Sequence, residues 1–199
     1  MVIRRTQAER SATTRARLLG ATLQCLVDLG FDGTSTKEIC RRAGVSKGAQ
    51  LHHFPTKAEL LVATVDYLCE QRHAEFRQMV NTQPDHTDRV EAAFNQFRRL
   101  YASPTMIAWV ELAVASRADP VLSEAMQRLS RRLEDDVEVT LRAVFQIADG
   151  VPAQPIVRMV LSLLDGLALR CMLQDDEAAH KALLVFKTLV TPWLAGIRS

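Results

Sequence analysis

Cysteine is scarce in this chain. Cys25, Cys40, Cys69 and Cys171 stand far apart, with no C-x-x-C or Cys/His ligand spacing, so neither a zinc site nor a dithiol motif is encoded and no metal is expected. No uncharged apolar run reaches the roughly 20 residues a membrane span requires. The opening V-I-R-R-T-Q-A-E-R has no apolar stretch behind its basic residues, so the expected compartment is the cytoplasm. H-E-x-x-H, a phosphate loop and a nucleophile elbow are all missing, which argues against an enzyme, and no cofactor is expected. There is no alternating strand pattern, internal repeat or low-complexity linker. What remains is an all-α globular chain of 199 residues, 48% hydrophobic and 24% charged, long enough to bury a substantial core in one or two domains.

The net charge of +2 conceals an asymmetry. Residues 1–57 carry ten Lys/Arg against four Asp/Glu, while the remainder carries fifteen against nineteen. A basic N-terminal part attracts phosphate. Within it, Thr34 to Leu61 reads T-S-T-K-E-I-C-R-R-A-G-V-S-K-G-A-Q-L-H-H-F-P-T-K-A-E-L-L. Ser35 with Glu38, and Thr56 with Glu59, are S/T-x-x-E capping boxes that start helices. Gly44 stands where the first short helix must stop in a left-handed conformation, Val45 plugs the gap, and Ser46 caps the next helix. Two short helices joined by a glycine turn, with cationic and small polar residues on the second, spell a helix-turn-helix.

On these residues the chain resembles the tetracycline-repressor (TetR) family of transcriptional regulators. The match runs through L-L-G-A-T-L-Q-C-L-V-D-L-G-F, T-S-T-K-E-I, A-G-V-S-K-G and H-H-F-P-T-K-A-E-L-L, with Gly30, Thr34, Ala43-Gly44-Val45, Gly48, Phe54-Pro55 and Lys57 at matching spacings. It departs at Gln50, where the family usually has an apolar residue, and at Leu51, where it usually has an aromatic. The resemblance implies a three-helix DNA-binding domain with an N-terminal arm over residues 1–56, and a helical ligand-binding and dimerisation domain over 57–199. It implies a cytoplasmic regulator, usually a repressor, that acts as a homodimer on a DNA operator.

Groove chemistry assigns roles within the reader. Lys47 reaches guanine or a phosphate, Gln50 pairs with adenine if it faces the groove, and Leu51 meets a thymine methyl. Gly48 and Ala49 permit close backbone approach, and His53 and Lys57 are placed for phosphates. Ser35, Thr36 and Lys37 add phosphate contacts at a helix start, where free amides and the dipole favour anions. The resemblance supports contacts at Thr34, Ser35, Ser46, Lys47, Gly48, Leu51, His52, His53 and Lys57; for His52 the alternative is a ring packed under the following helix. Arg4, Arg5 and Arg10 form either an arm on the DNA or a disordered tail.

Beyond the reader, helices are expected after Thr56 to about Val80, from Asp85 or Thr87 to near Tyr101, and after the cap-proline pairs Ser103-Pro104 and Asp119-Pro120. Two more follow, over about 156–173 and 175–197, with Pro192 expected to kink the last. Their apolar arcs are wider than one core contact needs, and Gly166 lets a neighbour approach. D-G-L-A-L at 165–169 resembles the family's dimer segment, so these last two helices are the expected homodimer surface. The central helices suggest an inducer cavity. Cys69, His73 and Phe76 share one helix face, Trp109 and Glu111 sit in the apolar run after Pro104, and Arg170 stands in line with Met159 and Leu163. These eight are the candidate ligand site, with Arg98, Arg142 or Arg170 as partner for Glu111. The competing readings are a ligand-independent DNA-binding or architectural protein and a redox-responsive regulator using Cys69 or Cys171.

Overall fold

A computed structural model of the chain describes residues 6–81, 101–148, 150–173 and 176–196, with 92, 94, 95, 98 and 99 between them. Among the described residues the chain forms eight α-helices: α1 Gln7–Gly33, α2 Thr36–Ala43, α3 Lys47–His53, α4 Lys57–Asn81, α5 Pro104–Ser116, α6 Pro120–Phe145, α7 Gln154–Leu173 and α8 Asp176–Gly196. Most of the helix expected over 85–101 lies outside the described residues. None of the eight is long and apolar enough to cross a membrane.

The chain divides into two compact units, Met1–Leu68 with Ile107–Gln127, and Cys69–Met106 with Arg128–Ser199. The first therefore extends past the expected boundary at 56/57. Leu60, at the start of α4, belongs to the same buried cluster as Leu18, Leu19, Cys25, Ile39, Ala43 and Phe54, so the hydrophobic contact continues into α4 and the compact unit continues with it.

Local chemistry sets the helix ends of the first unit. Thr6 and Glu9 make a complete capping box: the Glu9 amide donates to Thr6 Oγ1 at 3.2 Å and the Thr6 amide to Glu9 Oε2 at 2.7 Å. α1 then buries Leu18, Ala21, Cys25 and Leu26, while Leu29 is exposed. At Gly30 the helix breaks, with φ 69° and ψ −178°, a region that only glycine enters without strain. Gly44 ends α2 in the left-handed region at φ 59°, and the Val45 amide donates to Cys40 O at 3.0 Å, closing the turn into α3.

Ser35 caps α2 by accepting from the Glu38 amide at 3.2 Å, but the Glu38 carboxylate does not reach back. It is drawn instead to Arg41, at 2.6 and 2.8 Å, and to Arg42 at 2.8 Å. Arg42 also pairs with Asp28 and donates to Gln24 O at 3.3 Å. This one guanidinium ties α2 to the flank of α1, and a reciprocal cap is exchanged for an inter-helix clamp.

In the second unit, Leu129, Leu133, Val137 and Leu141 recur every four residues as the buried stripe of α6. Val157, Val160, Leu164, Leu167 and Ala168 of α7 and Ala179 and Leu183 of α8 are buried as well, and α7 packs on α8. Arg142 holds the loop before α7, pairing with Glu138 at 3.0 Å and donating to Val151 O at 3.1 Å. α8 runs on through Pro192 as far as Gly196.

The clamp has a pH signature. Hydrogen bonds from Arg41 and then Arg42 hold the Glu38 carboxyl down from 4.5 to about 2. A carboxyl whose pKa falls on folding stabilises the folded state above its unfolded value, and that contribution is lost as pH drops through the folded value. Circular-dichroism melts are thus expected to show a steeper loss of stability between pH 4.5 and about 2 in the parent than in Glu38→Gln. Parallel profiles would detach Glu38 from the anchoring of α2.

Candidate nucleic-acid interface

The outer side of α3 is open. Ser46, Lys47, Gly48, Leu51 and His52 are exposed and His53 is half-buried. The Ser46 hydroxyl accepts from the Ala49 amide at 3.2 Å and starts the helix. A methyl group added at Gly48 would meet nothing within 4 Å, so no packing inside the protein requires a glycine there. Ser35 and Lys37 are exposed and Thr36 half-buried at the start of α2.

The cations divide into two sets. Arg41 and Arg42 are engaged by Glu38. Arg17 donates to Gly44 O at 3.4 Å, and Arg15 lies 5.4 Å from the centre of the Phe54 ring. Lys57 Nζ stands 4.8 Å from the centre of the Phe31 ring, a cation–π seat that fixes its direction. Among the described residues Lys37 and Lys47 form no hydrogen bond or ion pair. Those two have their full donor capacity to offer a phosphate or a base.

Two expected contacts point inward. Gln50 is 1% exposed. Its side-chain Nε2 donates to Phe54 O, while its backbone carbonyl accepts the Phe54 amide at 2.7 Å. The side chain thus secures the C-terminal end of α3 and does not face a groove: a polar residue at a usually apolar position is accommodated because the end of a short helix leaves carbonyls to satisfy. Thr34 is fully buried. Its hydroxyl donates to Gly30 O at 2.7 Å and its amide to Phe31 O at 3.2 Å, so it shapes the break in α1 and has no surface to offer DNA.

Arg10, expected in an arm or a disordered tail, is helical at the start of α1. Gln7, Ala8, Arg10, Ser11 and Thr14 line a polar hollow with His52 and His53 at the end of α3. T-x-x-E at Thr6–Glu9 was the available signal, since a capping box there makes Arg10 helical.

The candidate ligand residues are dispersed. Trp109 and Glu111 belong to the first unit, and Cys69, His73, Phe76, Met159, Leu163 and Arg170 to the second. Glu111 binds none of the arginines proposed for it: its Oε2 accepts the Phe31 amide at 2.7 Å, and Arg142 is committed to Glu138. Trp109 and Leu163 are half-buried, Cys69 is buried and Arg170 is exposed. The side chains of His73 and Phe76 lie outside the described residues. Met159 is 46% exposed and lines an outward apolar groove with Pro155, Ile156, Phe186, Leu189 and Val190. The groove is thus on the surface of α7 and α8, because the buried face of α7 is taken by its other apolar residues. Burial raises the Cys25 and Cys40 thiols, which keeps both protonated at neutral pH and poorly reactive.

These positions separate two kinds of substitution. Gln50→Ala should weaken binding to every duplex alike, by about 1 kcal/mol for a lost buried hydrogen bond. Leu51→Ala should change preference at one base position, because its side chain is outside. Binding isotherms on selected and random duplexes check both, and a change of base preference in Gln50→Ala would contradict its inward placement.

Comparison with known proteins gives the site its context. Residues 18–64 match the profile of bacterial regulatory proteins of the tetR family, and residues 86–194 match that of the C-terminal part of BetI-type transcriptional repressors. The chain is 33% identical over 177 residues to the HTH-type transcriptional regulator CymR of Pseudomonas putida, covering 87% of each chain. A transcriptional regulator of Rhodococcus sp. Rha1 aligns with a TM-score of 0.70 and 27% identity over 88% of this chain and 95% of that one. A regulator from Saccharomonospora viridis in complex with choline aligns with a TM-score of 0.71 over 88% and 95%, a likeness of fold at 16% identity. With both parts matched and a relative at one-third identity along most of its length, the chain belongs to the tetR family of bacterial regulatory proteins and is a DNA-binding transcriptional regulator.

Proposed function

We propose that this regulator is a cytoplasmic repressor whose homodimer binds a pseudopalindromic operator and is released by a small, largely apolar ligand. Reading is assigned to residues 1–56, and dimerisation and ligand binding to 57–199. The observation that carries the DNA side is the outer face of α3, where Lys47, Leu51 and His52 are exposed around a glycine with open space above it. A major groove admits such a face, with the two uncommitted lysines, Lys37 and Lys47, beside it for phosphates. One short helix makes few base contacts, so paired readers about 34 to 36 Å apart supply the specificity.

The dimer side rests on the uncovered apolar faces of α7 and α8. Met159, Leu169, Met172 and Leu173 on α7 and Leu184, Val185 and Leu189 on α8 are all more than 40% exposed, and Met159 and Leu189 share one apolar groove, the kind of surface that partners cover. Gly166 is exposed with nothing within 4 Å of an added methyl, which leaves room for a partner helix. Leu164, by contrast, is 2% exposed and belongs to the protomer's own core.

For the ligand, the fold neighbour that holds choline lends support to a small-molecule site in this architecture. The proposed wall is the face of α4 that carries Cys69, His73 and Phe76, with Leu163 of the same unit. Release needs unequal affinity for two states: a hundredfold drop in DNA affinity requires the ligand to bind the DNA-free form about 2.7 kcal/mol more tightly.

Leu189→Glu is expected to give a folded monomer in sedimentation, with DNA affinity lost although the reader is untouched, because pairing would bury an unpartnered carboxylate. A dimer that persists in both Leu189→Glu and Val185→Glu would remove α7 and α8 from the interface. For release, a thermal-shift screen followed by DNA competition is the test; tight ligands that leave DNA affinity unchanged would favour ligand-independent binding.

A further inference from the structure

We propose that Glu111 is a positioning residue for the DNA reader: by accepting the Phe31 amide, its carboxylate holds the break in α1 that seats Lys57. The inference rests on the DNA-binding role of the chain and assigns to it a residue 80 positions away from its partner.

The need for such a residue comes from Gly30. Because its backbone leaves the helical region, the amide of Phe31 cannot reach the carbonyl four residues back. An amide so orphaned, in partly buried surroundings, requires an acceptor. Glu111 Oε2 supplies it at 2.7 Å, a charge-assisted bond stronger than a neutral one. The carboxylate also closes over the glycine: a Cβ at residue 30 would stand 3.3 Å from Oε2. Glu111 and Phe31 lie in the same compact unit.

Two groups of the reader depend on this turn. Thr34 locks it, donating to Gly30 O at 2.7 Å and to Phe31 O at 3.2 Å, and the next residue, Ser35, caps α2. The ring of Phe31 carries the Lys57 ammonium, 4.8 Å from its centre. A Phe31 that is no longer held lets its ring turn, and Lys57 loses the seat that aims it at the phosphate backbone. Glu111 thereby acts on DNA through Phe31 and Lys57 and not by contact.

The test uses the full chain and a duplex that the parent selects from a random-sequence library. In Glu111→Leu, which keeps bulk and removes the acceptor, hydrogen exchange at the Phe31 amide should quicken about tenfold. Affinity for the selected duplex should fall about tenfold, and the slope of log K against log salt should shrink by about one, as for a lost phosphate contact. Glu111→Gln retains an acceptor oxygen and should stay within about threefold of the parent. A residue that merely supports the fold would cost the same in any background. Here Glu111→Leu should cost less than about twofold once Lys57→Ala is present, since both act on one contact. Should the Leu variant not fold, Glu111→Asp, which withdraws the carboxylate by one methylene, takes its place with the same expectations.

Parental exchange and affinity in the variant, losses that add fully to those of Lys57→Ala, or a Gln variant as weak as the Leu variant would each overturn the assignment. A parent that selects no duplex would instead overturn the DNA-binding reading, and with it the role of Glu111 in binding.

Discussion

At φ 69° and ψ −178°, Gly30 interrupts α1 one turn before its end, and the rest of the reader is arranged around that interruption. The break turns the chain toward α2, so the buried face of α1 and Ile39 of α2 can share one core. It also orphans an amide and exposes a carbonyl. Glu111 answers the first and the Thr34 hydroxyl the second, at 2.7 Å in each case. A side chain at residue 30 would encounter both a backbone that only glycine tolerates and the Glu111 carboxylate. The two constraints reinforce each other: the conformation demands glycine, and glycine leaves the space in which the carboxylate sits.

The same economy governs the positive charge of the N-terminal part. Among the described residues its cations do not form a uniform basic face. Arg42 ties α2 to α1 through Glu38, Asp28 and the Gln24 carbonyl, Arg17 reaches the turn at Gly44, and Arg15 and Lys57 lie over aromatic rings. Lys37 and Lys47 are left outward and uncommitted. Most of the charges that hold the reader together are therefore different residues from those left outward, and net charge alone does not distinguish them.

The helix-turn-helix was legible because its determinants are local. Ser35, Ser46 and Thr56 each receive an amide three residues on, and Gly44 takes the left-handed conformation that a tight turn requires. What escaped depends on distance or on facing. α3 has only seven residues, too few for periodicity to show which side Gln50 occupies. Thr34 looks like a surface hydroxyl until its acceptor, Gly30 O, is known. α5 is apolar on nearly every side, so nothing in its own pattern aimed Glu111 at Phe31. On α7 and α8, wide apolar arcs signalled two covered faces, but not that Leu164 lies on the inner one and Met159 and Leu189 on the outer. The start of α1 is as local as these, since T-x-x-E at Thr6–Glu9 forms a complete capping box.

A hydroxyl-radical footprint of the full chain on its selected duplex tests most directly that this surface reads DNA as a pair. The account predicts protection in two patches on one face of the duplex, about one helical turn or 34 to 36 Å apart, related by the symmetry of the site. A single protected patch at saturating protein, or uniform protection along the duplex, would contradict it.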